Sequence, residues 1–375
     1  RNWLHKGRAA LDREKKKERH FDYVLLCLVI LLVLFGLLFL YSTSAYNGRV
    51  KFHDAGYYFK KQLFATSLGL VGMYLVSCMD YHMLVRFAPF FYVVSLLLSL
   101  AVLMFGDEYN GSRRWLSLGP FSFQPSEFAK VAVILLLTCV IEKGKEQKQG
   151  MLQMAGTMAL LLPIVGLVGT NNLSTAIIIL GIGVILIFVS NPRYLPFVGI
   201  GVSGILFIGI FLSMASYRLE RLAIWQNPEA YEKGFQTIQG LYAIGSGGIF
   251  GKGLGNSLQK LGFVPEAQND MIFSIVCEET GILGAFLVLF LFGLLIWRLC
   301  MLALNCRDLK GTLLCAGIMA HMSIQVVLNV AVVTNTIPNT GITLPFVSYG
   351  GTSVVFLLGE MGLALSVSSH RHGRI

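Results

Sequence analysis

Apolar runs of about twenty residues recur along almost the whole chain, and they constrain the fold more than any other feature. The first, Phe21 to Tyr41, holds one acidic residue near its start and no basic one. A helix of that length spans a hydrocarbon layer of about 30 Å. Comparable segments fall at residues 21–43, 62–79, 84–105, 125–141, 151–169, 173–190, 194–214, 271–300, 311–334 and 347–369. Charged residues make up only 13% of the 375, about half the usual share of a soluble domain. Too little polar surface remains to solvate a compact body of this size. The pattern predicts an all-α polytopic membrane protein of about ten helices and excludes soluble enzymes, disordered chains and free nucleic-acid binders.

An even number of spans puts both termini on one side. The tail Arg1 to His20 carries eight Lys or Arg, which the positive-inside rule assigns to the cytoplasm. The expected organisation is a basic cytoplasmic tail over 1–20, leaning on anionic membrane lipid, and a single ten-helix domain over 21–375. The connections are then unequal: the outer side carries Ser44–Lys61, Gly106–Gln124, Asn335–Phe346 and a large extracellular loop, residues 215–270, between helices 7 and 8. Loops that long are usually functional or disordered. Within the last, Tyr231, Phe235, Ile238 and Tyr242 recur at helical spacing and predict one apolar stripe. The first run is too long for a cleaved leader and lacks a small-residue cleavage site. The seven cysteines form no C-x-x-C pair, so neither a disulfide framework nor a zinc site is encoded.

Charges inside or beside spans are costly and therefore functional candidates. Glu127 and Lys130, three apart on one helix, share a face and suit either a mutual ion pair or a lysine turned toward a diphosphate. Glu278 and Glu360 read as buried hydrogen-bonding groups. Asp270, just before Met271-Ile272-Phe273, is placed either to cap the eighth helix or to act as a catalyst. Gly245 to Gly255 fits neither the dinucleotide nor the phosphate-loop pattern. It reads as backbone free to approach a bulky ligand closely, with Lys252 and Lys260 adding charge.

Three blocks resemble the SEDS family (shape, elongation, division, sporulation), the FtsW/RodA-type peptidoglycan polymerases, more closely the FtsW type. They are Asn110-Gly111-Ser112-Arg113-Arg114-Trp115 with Gln124-Pro125-Ser126-Glu127-Phe128-Ala129-Lys130; the run Ala243–Gly255 with Gln259, Lys260 and Pro265–Asp270; and Gln325, Asn329, Pro338, Thr340–Phe346 and Ser348–Gly351. The likeness covers the chain after the basic tail. It implies lipid II as substrate, joined into β-1,4 glycan at the outer face of the bacterial cytoplasmic membrane in cell division, with the elongation-type and sporulation paralogues as alternatives. Asp270 takes the position of the family's essential aspartate, the general base. Glu127, Lys130, Arg113, Arg114, Trp115, Lys252, Gln259, Lys260 and Ser348 are the implied substrate-binding residues. One departure is that Asn172 and Ser174 stand where the family commonly has Asp and Gly. No cofactor is required by the sequence; a divalent cation, magnesium or manganese, is compatible with a diphosphate leaving group, though no ligand cluster demands one. The implied partners are a single-span class B penicillin-binding protein and divisome proteins, with glycines 199, 201, 204 and 209, and Gly311 and Gly317, as candidates for the partner-facing surface. The competing reading is a flippase for the same lipid-linked precursor.

Overall fold

A computed structural model describes residues 21–109, 112–119, 121–146, 150–190, 209 and 216–370. The basic tail and most of the seventh expected span, 194–214, lie outside the described residues, and so do glycines 199, 201 and 204. Within them the apolar runs become helices: α1 (Tyr23–Phe52), α2 (Tyr57–Cys78), α3 (Tyr81–Arg86), α4 (Ala88–Phe105), α5 (Pro125–Glu146), α6 (Gly150–Asn171), α7 (Leu173–Ser190), α8 (Ser216–Gln226), α9 (Phe235–Gly247), α10 (Ile272–Leu304), α11 (Leu309–Val333) and α12 (Gly351–His370). Six of them, α1, α4, α7, α10, α11 and α12, are long and apolar enough to cross a membrane by length and composition. The chain is a multi-pass membrane protein.

The fold is mostly helical, as expected, with one addition: the connection after α4 forms a three-stranded antiparallel sheet of β1 (Asp107–Tyr109), β2 (Ser112–Leu118) and β3 (Phe121–Phe123). Two expectations are corrected. The third span is two helices, because the chain breaks at Phe87 and restarts with Pro89 in the first turn of α4, where proline's missing N–H costs nothing. The aromatic stripe begins only at Phe235, since Tyr231 is extended between two 3₁₀ turns, 228–230 and 232–234.

Polar contacts sort the helix ends into two layers. At one end Asp22 caps α1 through Leu25 N–H and pairs with Arg298 at 2.8 Å, Tyr81 donates to Asp308, and Lys310 meets Glu142 at 3.0 Å. At the other end the sheet, the 216–271 segment and the 335–350 segment gather. Thr352 donates to the Ser122 carbonyl, Ser174 to the Thr340 carbonyl, and Asn47 to Gln268. Between the layers the core is aliphatic, with α12 lying along α2 and α11 contacting α5, α7 and α10.

α10 is interrupted. Gly281 has φ 67 and ψ −165, outside the helical region, and the glycine-rich run fills the break. Lys252 N–H donates to the Glu278 carbonyl and Gly253 N–H to the Glu279 carbonyl, while Ile282 and Leu283 N–H donate to the Gly248 and Ile249 carbonyls. A Cβ at 247, 251 or 281 would collide with the opposing backbone. The close approach expected of these glycines is therefore to α10 itself rather than to a ligand. In hydrocarbon every such backbone group must find a partner, and only glycine lets two backbones come this near.

Candidate active site

Asp270 sits at the layer where the sheet and loops gather, on the last turn before α10. It does not cap that helix. Met271 occupies the cap position and makes no side-chain bond to it, so the capping reading is set aside. The Asp270 backbone is held instead: Asn329 of α11 donates from one amide to both the Asp270 carbonyl (2.9 Å) and the Ile342 carbonyl (2.7 Å). Two residues earlier, Gln268 accepts from Tyr349 N–H through its carbonyl and from Asn47 through its side chain.

The Asp270 carboxylate accepts from Gln236 of α9 at 3.4 Å. Burial pushes its pKa up to about 6; Glu266 adds to the rise, while Arg221 and Gln236 oppose it. Such a carboxylate is ionised at neutral pH yet more basic than an exposed one. Across from it is Arg114 of β2, whose Nε donates to the Asn171 carbonyl at 3.1 Å. Gly341, at φ +71, adjoins both: its ideal Cβ position lies 3.8 Å from Arg114 Nη1 and 4.0 Å from Asp270 Oδ2, so a carboxylate and a guanidinium converge on this glycine. A small cleft beside it is lined by Arg113, Arg114, Ser126, Asn171 and Asn172 among apolar side chains.

The two residues that depart from the family pattern have local roles. Asn172 accepts from Thr175 N–H at 3.2 Å, a helix cap at which Asn and Asp rank together. Ser174 donates to the Thr340 carbonyl, tying α7 to the segment that carries Gly341.

Glu127 and Lys130 form the expected ion pair at 2.9 Å, both buried. Lys130 also donates to Gln325 at 3.2 Å, and Gln325 donates to the Thr343 carbonyl, so this pair is bonded into the wall that carries Gly341. The other lysines are engaged elsewhere. Lys252 pairs with Glu278 at 2.7 Å and Lys260 with Glu279 at 2.7 Å. Glu278 further accepts from Ser257 and from Leu258 and Gln259 N–H, which makes it the anchor of the 252–260 loop. Ser348 is buried and accepts from Leu344 N–H, closing a turn; Trp115 pairs with Asp107 in the sheet. The structure thus brings Asp270 and Arg114 together at Gly341, with Arg113 on the adjoining cleft and Lys130 behind the wall, and gives Lys252, Lys260 and Ser348 side-chain bonds, and Gln259 a backbone bond, within the fold. Gly311 and Gly317 are also internal, lying against Val367 and Ile134 respectively, which removes them from a partner-facing surface.

Gln236, Arg221 and His321 were not singled out from the sequence. His321 had a signal, since it is an ionisable residue within an apolar run; the other two sit in the long loop, where no periodicity marks them. Among the described residues no three or more His, Cys, Asp or Glu side chains gather so as to hold a metal.

The model of the FtsW/RodA/SpoVE family, described as cell cycle proteins, matches residues 22–373. The chain belongs to that family. FtsW/RodA/SpoVE relatives similar to it include the stage V sporulation protein E of Bacillus subtilis, 38% identical over 93% of this chain and 97% of the relative. A probable peptidoglycan glycosyltransferase FtsW of Trichlorobacter lovleyi is 35% identical over 93% of each chain. Among solved structures, a peptidoglycan synthase complex described for its coordination of polymerization and crosslinking contains a chain that matches with TM-score 0.77 and 31% identity, over 94% of this chain and 99% of that one. The rod shape determining protein RodA of Thermus thermophilus matches with TM-score 0.70 and 30% identity, over 95% and 99%. The FtsW/RodA/SpoVE assignment thus covers the described helices and both loop layers.

Proposed function

We propose that this chain is an inverting peptidoglycan glycosyltransferase that joins lipid II into β-1,4 glycan at the outer face of the cytoplasmic membrane. The observation that carries the reading is the convergence of the Asp270 carboxylate and the Arg114 guanidinium on Gly341. Asp270 takes the proton of the acceptor 4-hydroxyl as its oxygen attacks the anomeric carbon of the donor. The bond from that carbon to the diphosphate oxygen breaks, and the polyprenyl diphosphate departs with the electron pair; the proton then passes from Asp270 to water. A positioned base contributes about 10²–10⁴-fold. Arg114, with Arg113 on the adjoining cleft wall, faces the growing negative charge of the leaving group, where a fixed cation is most effective. Lys130 supports the wall and supplies a buried positive charge behind it. A divalent cation bound by the diphosphate would share that charge, without a protein-built cation site being needed.

The proposed partners are a single-span class B penicillin-binding protein and the division machinery, with lipid around the helices. The division role is favoured by likeness to FtsW-named relatives, with a sporulation role the alternative, given the 38% identity to stage V sporulation protein E; depletion that blocks elongation while septa still form, or that blocks sporulation alone, would overturn it. For the activity, the purified chain is mixed with its cognate transpeptidase and lipid II, and the products are resolved by size. Glycan polymer from the native chain and none from Asp270→Asn is the expected result. Transfer of lipid II between leaflets without any polymer would replace the reading by a flippase.

A further inference from the structure

His321 of α11 and Glu360 of α12 adjoin Gln325, whose side-chain oxygen also takes Lys130, and both are about 1% exposed. Neither touches the space beside Asp270, yet burying two ionisable groups in a span is too expensive to be incidental. Their protonation follows from the hydrogen bonds around Gln325. The amide nitrogen of Gln325 must face the Thr343 carbonyl, 3.1 Å away, and its oxygen must face the Lys130 ammonium, 3.2 Å away, because an ammonium only donates. His321 Nε2 is 2.8 Å from that same oxygen, so Nε2 carries a hydrogen and donates. Nδ1 lies 2.8 and 3.0 Å from the two Glu360 oxygens, so one further proton is shared there. Whichever atom holds that proton, the pair is neutral overall, as Glu127 with Lys130 is.

We infer that His321 and Glu360 form a positioning pair for the glycosyltransferase site, in which the Nε2–H of His321 fixes Gln325 so that its oxygen holds Lys130 and its amide holds the Thr343 segment. The inference rests on the proposed polymerase activity for its functional arm. Gln325 is the junction: from it one path runs to Lys130 and Glu127, and the other runs through Thr343 and Ile342 to Asn329, which holds the Asp270 carbonyl. Glu360 orients the imidazole through Nδ1 and shares the second proton there, so that the ring can keep Nε2–H aimed at Gln325.

Two measurements test this. In protein labelled with ¹⁵N-histidine, the His321 signals are identified by their absence from His321→Gln. A protonated Nε2 is expected; a ring protonated only at Nδ1 would overturn the inference, because such a ring cannot donate to Gln325. The second compares two variants in a Glu360→Gln background, which removes the carboxylate that would otherwise be stranded. His321→Gln places an N–H near the Nε2 position, whereas His321→Asn places one near Nδ1 only. The Gln form is expected to keep a kcat for lipid II polymerisation about tenfold above the Asn form, the worth of one hydrogen bond to a fixed group, with similar KM and similar thermal midpoints. Equal kcat values, or losses that simply follow thermal stability, would overturn the positioning role. If the native chain makes no polymer at all, the proposed function fails, and the ¹⁵N signature still decides the state of His321.

Discussion

Lys260 Nζ lies 2.7 Å from Glu279 Oε1, with the two side chains 8% and 0% exposed, and Ser42 of α1 donates to the same carboxylate. The contact ties the loop before Asp270 to the lower edge of the break in α10. Removing either partner strands a buried charge, which typically costs about 3–5 kcal/mol. Lys260→Met and Glu279→Gln are each expected to lower thermal stability sharply in detergent. The double variant should recover much of the loss, as a double-mutant cycle will show. Lys252→Ala should cost less, since the Lys252 side chain is 32% exposed and Glu278 keeps its hydroxyl and backbone donors.

Asp270→Asn is expected to abolish polymerisation without weakening the fold. Asp270 caps no helix, and Asn can still accept from Gln236. The folded-state pKa of about 6 is raised above the usual 3.8. Ionisation therefore disfavours the native state: stability present at the lower pH is lost as pH rises from about 4 through 6. The Asn variant should be at least as stable as the native protein at neutral pH, measured by thermal unfolding.

The same carboxylate sets the pH dependence of the rate. A base must be ionised, so kcat/KM should fall about tenfold per unit below pH 6 and level off above it. Glu266→Gln removes a charge that raises the pKa and should move that limb to lower pH; Arg221→Gln should move it higher. A limb indifferent to both changes would place the titrating group elsewhere.

Lys130 separates structure from chemistry. If it served only Glu127, removing both residues would hurt less than the two single losses combined. Because Lys130 also donates to Gln325, Lys130→Ala is expected to impair polymerisation even alongside Glu127→Ala. Recovery in the double variant would confine the pair to charge balance.

The glycines of the 245–251 run should respond unequally. Gly247→Ala and Gly251→Ala force a methyl into the α10 backbone and are expected to cost well over about 2 kcal/mol or to block folding. Gly245, with open space around it in the helical interior of α9, should accept alanine with a gain of about 0.5–1 kcal/mol. Expression level and thermal midpoint distinguish the three.

Spans were legible where length and apolarity alone define a helix. α7 runs over 173–190 as its composition indicates, whereas α1 continues nine residues past its apolar run, because Gly48 packs onto the Asp54 backbone at the loop layer. The sheet after α4 was hidden because its strands are three to seven residues long and lack a clean alternation. At the site, Asp270, Arg114 and the Glu127–Lys130 pair were accessible through local motifs. The bonds from Lys260 to Glu279, from His321 to Glu360 and from Asn329 to Asp270 join separate helices or loops, and no local pattern encodes such a pairing. Gly341 was part of a recognised block, but its place beside both Arg114 and Asp270 exists only once β2 and the turn before α10 have met.

The interruption at Gly281 bears on how the chain enters the bilayer. An uninterrupted helix satisfies its own backbone and can be inserted by itself. The Glu278 and Glu279 carbonyls and the Ile282 and Leu283 amides find their partners in residues 248–253, about thirty positions earlier. Residues 272–283 therefore cannot complete their backbone bonding on leaving the ribosome. They complete it only against the preceding loop, so insertion of this span and placement of the chain that leads to Asp270 are one event.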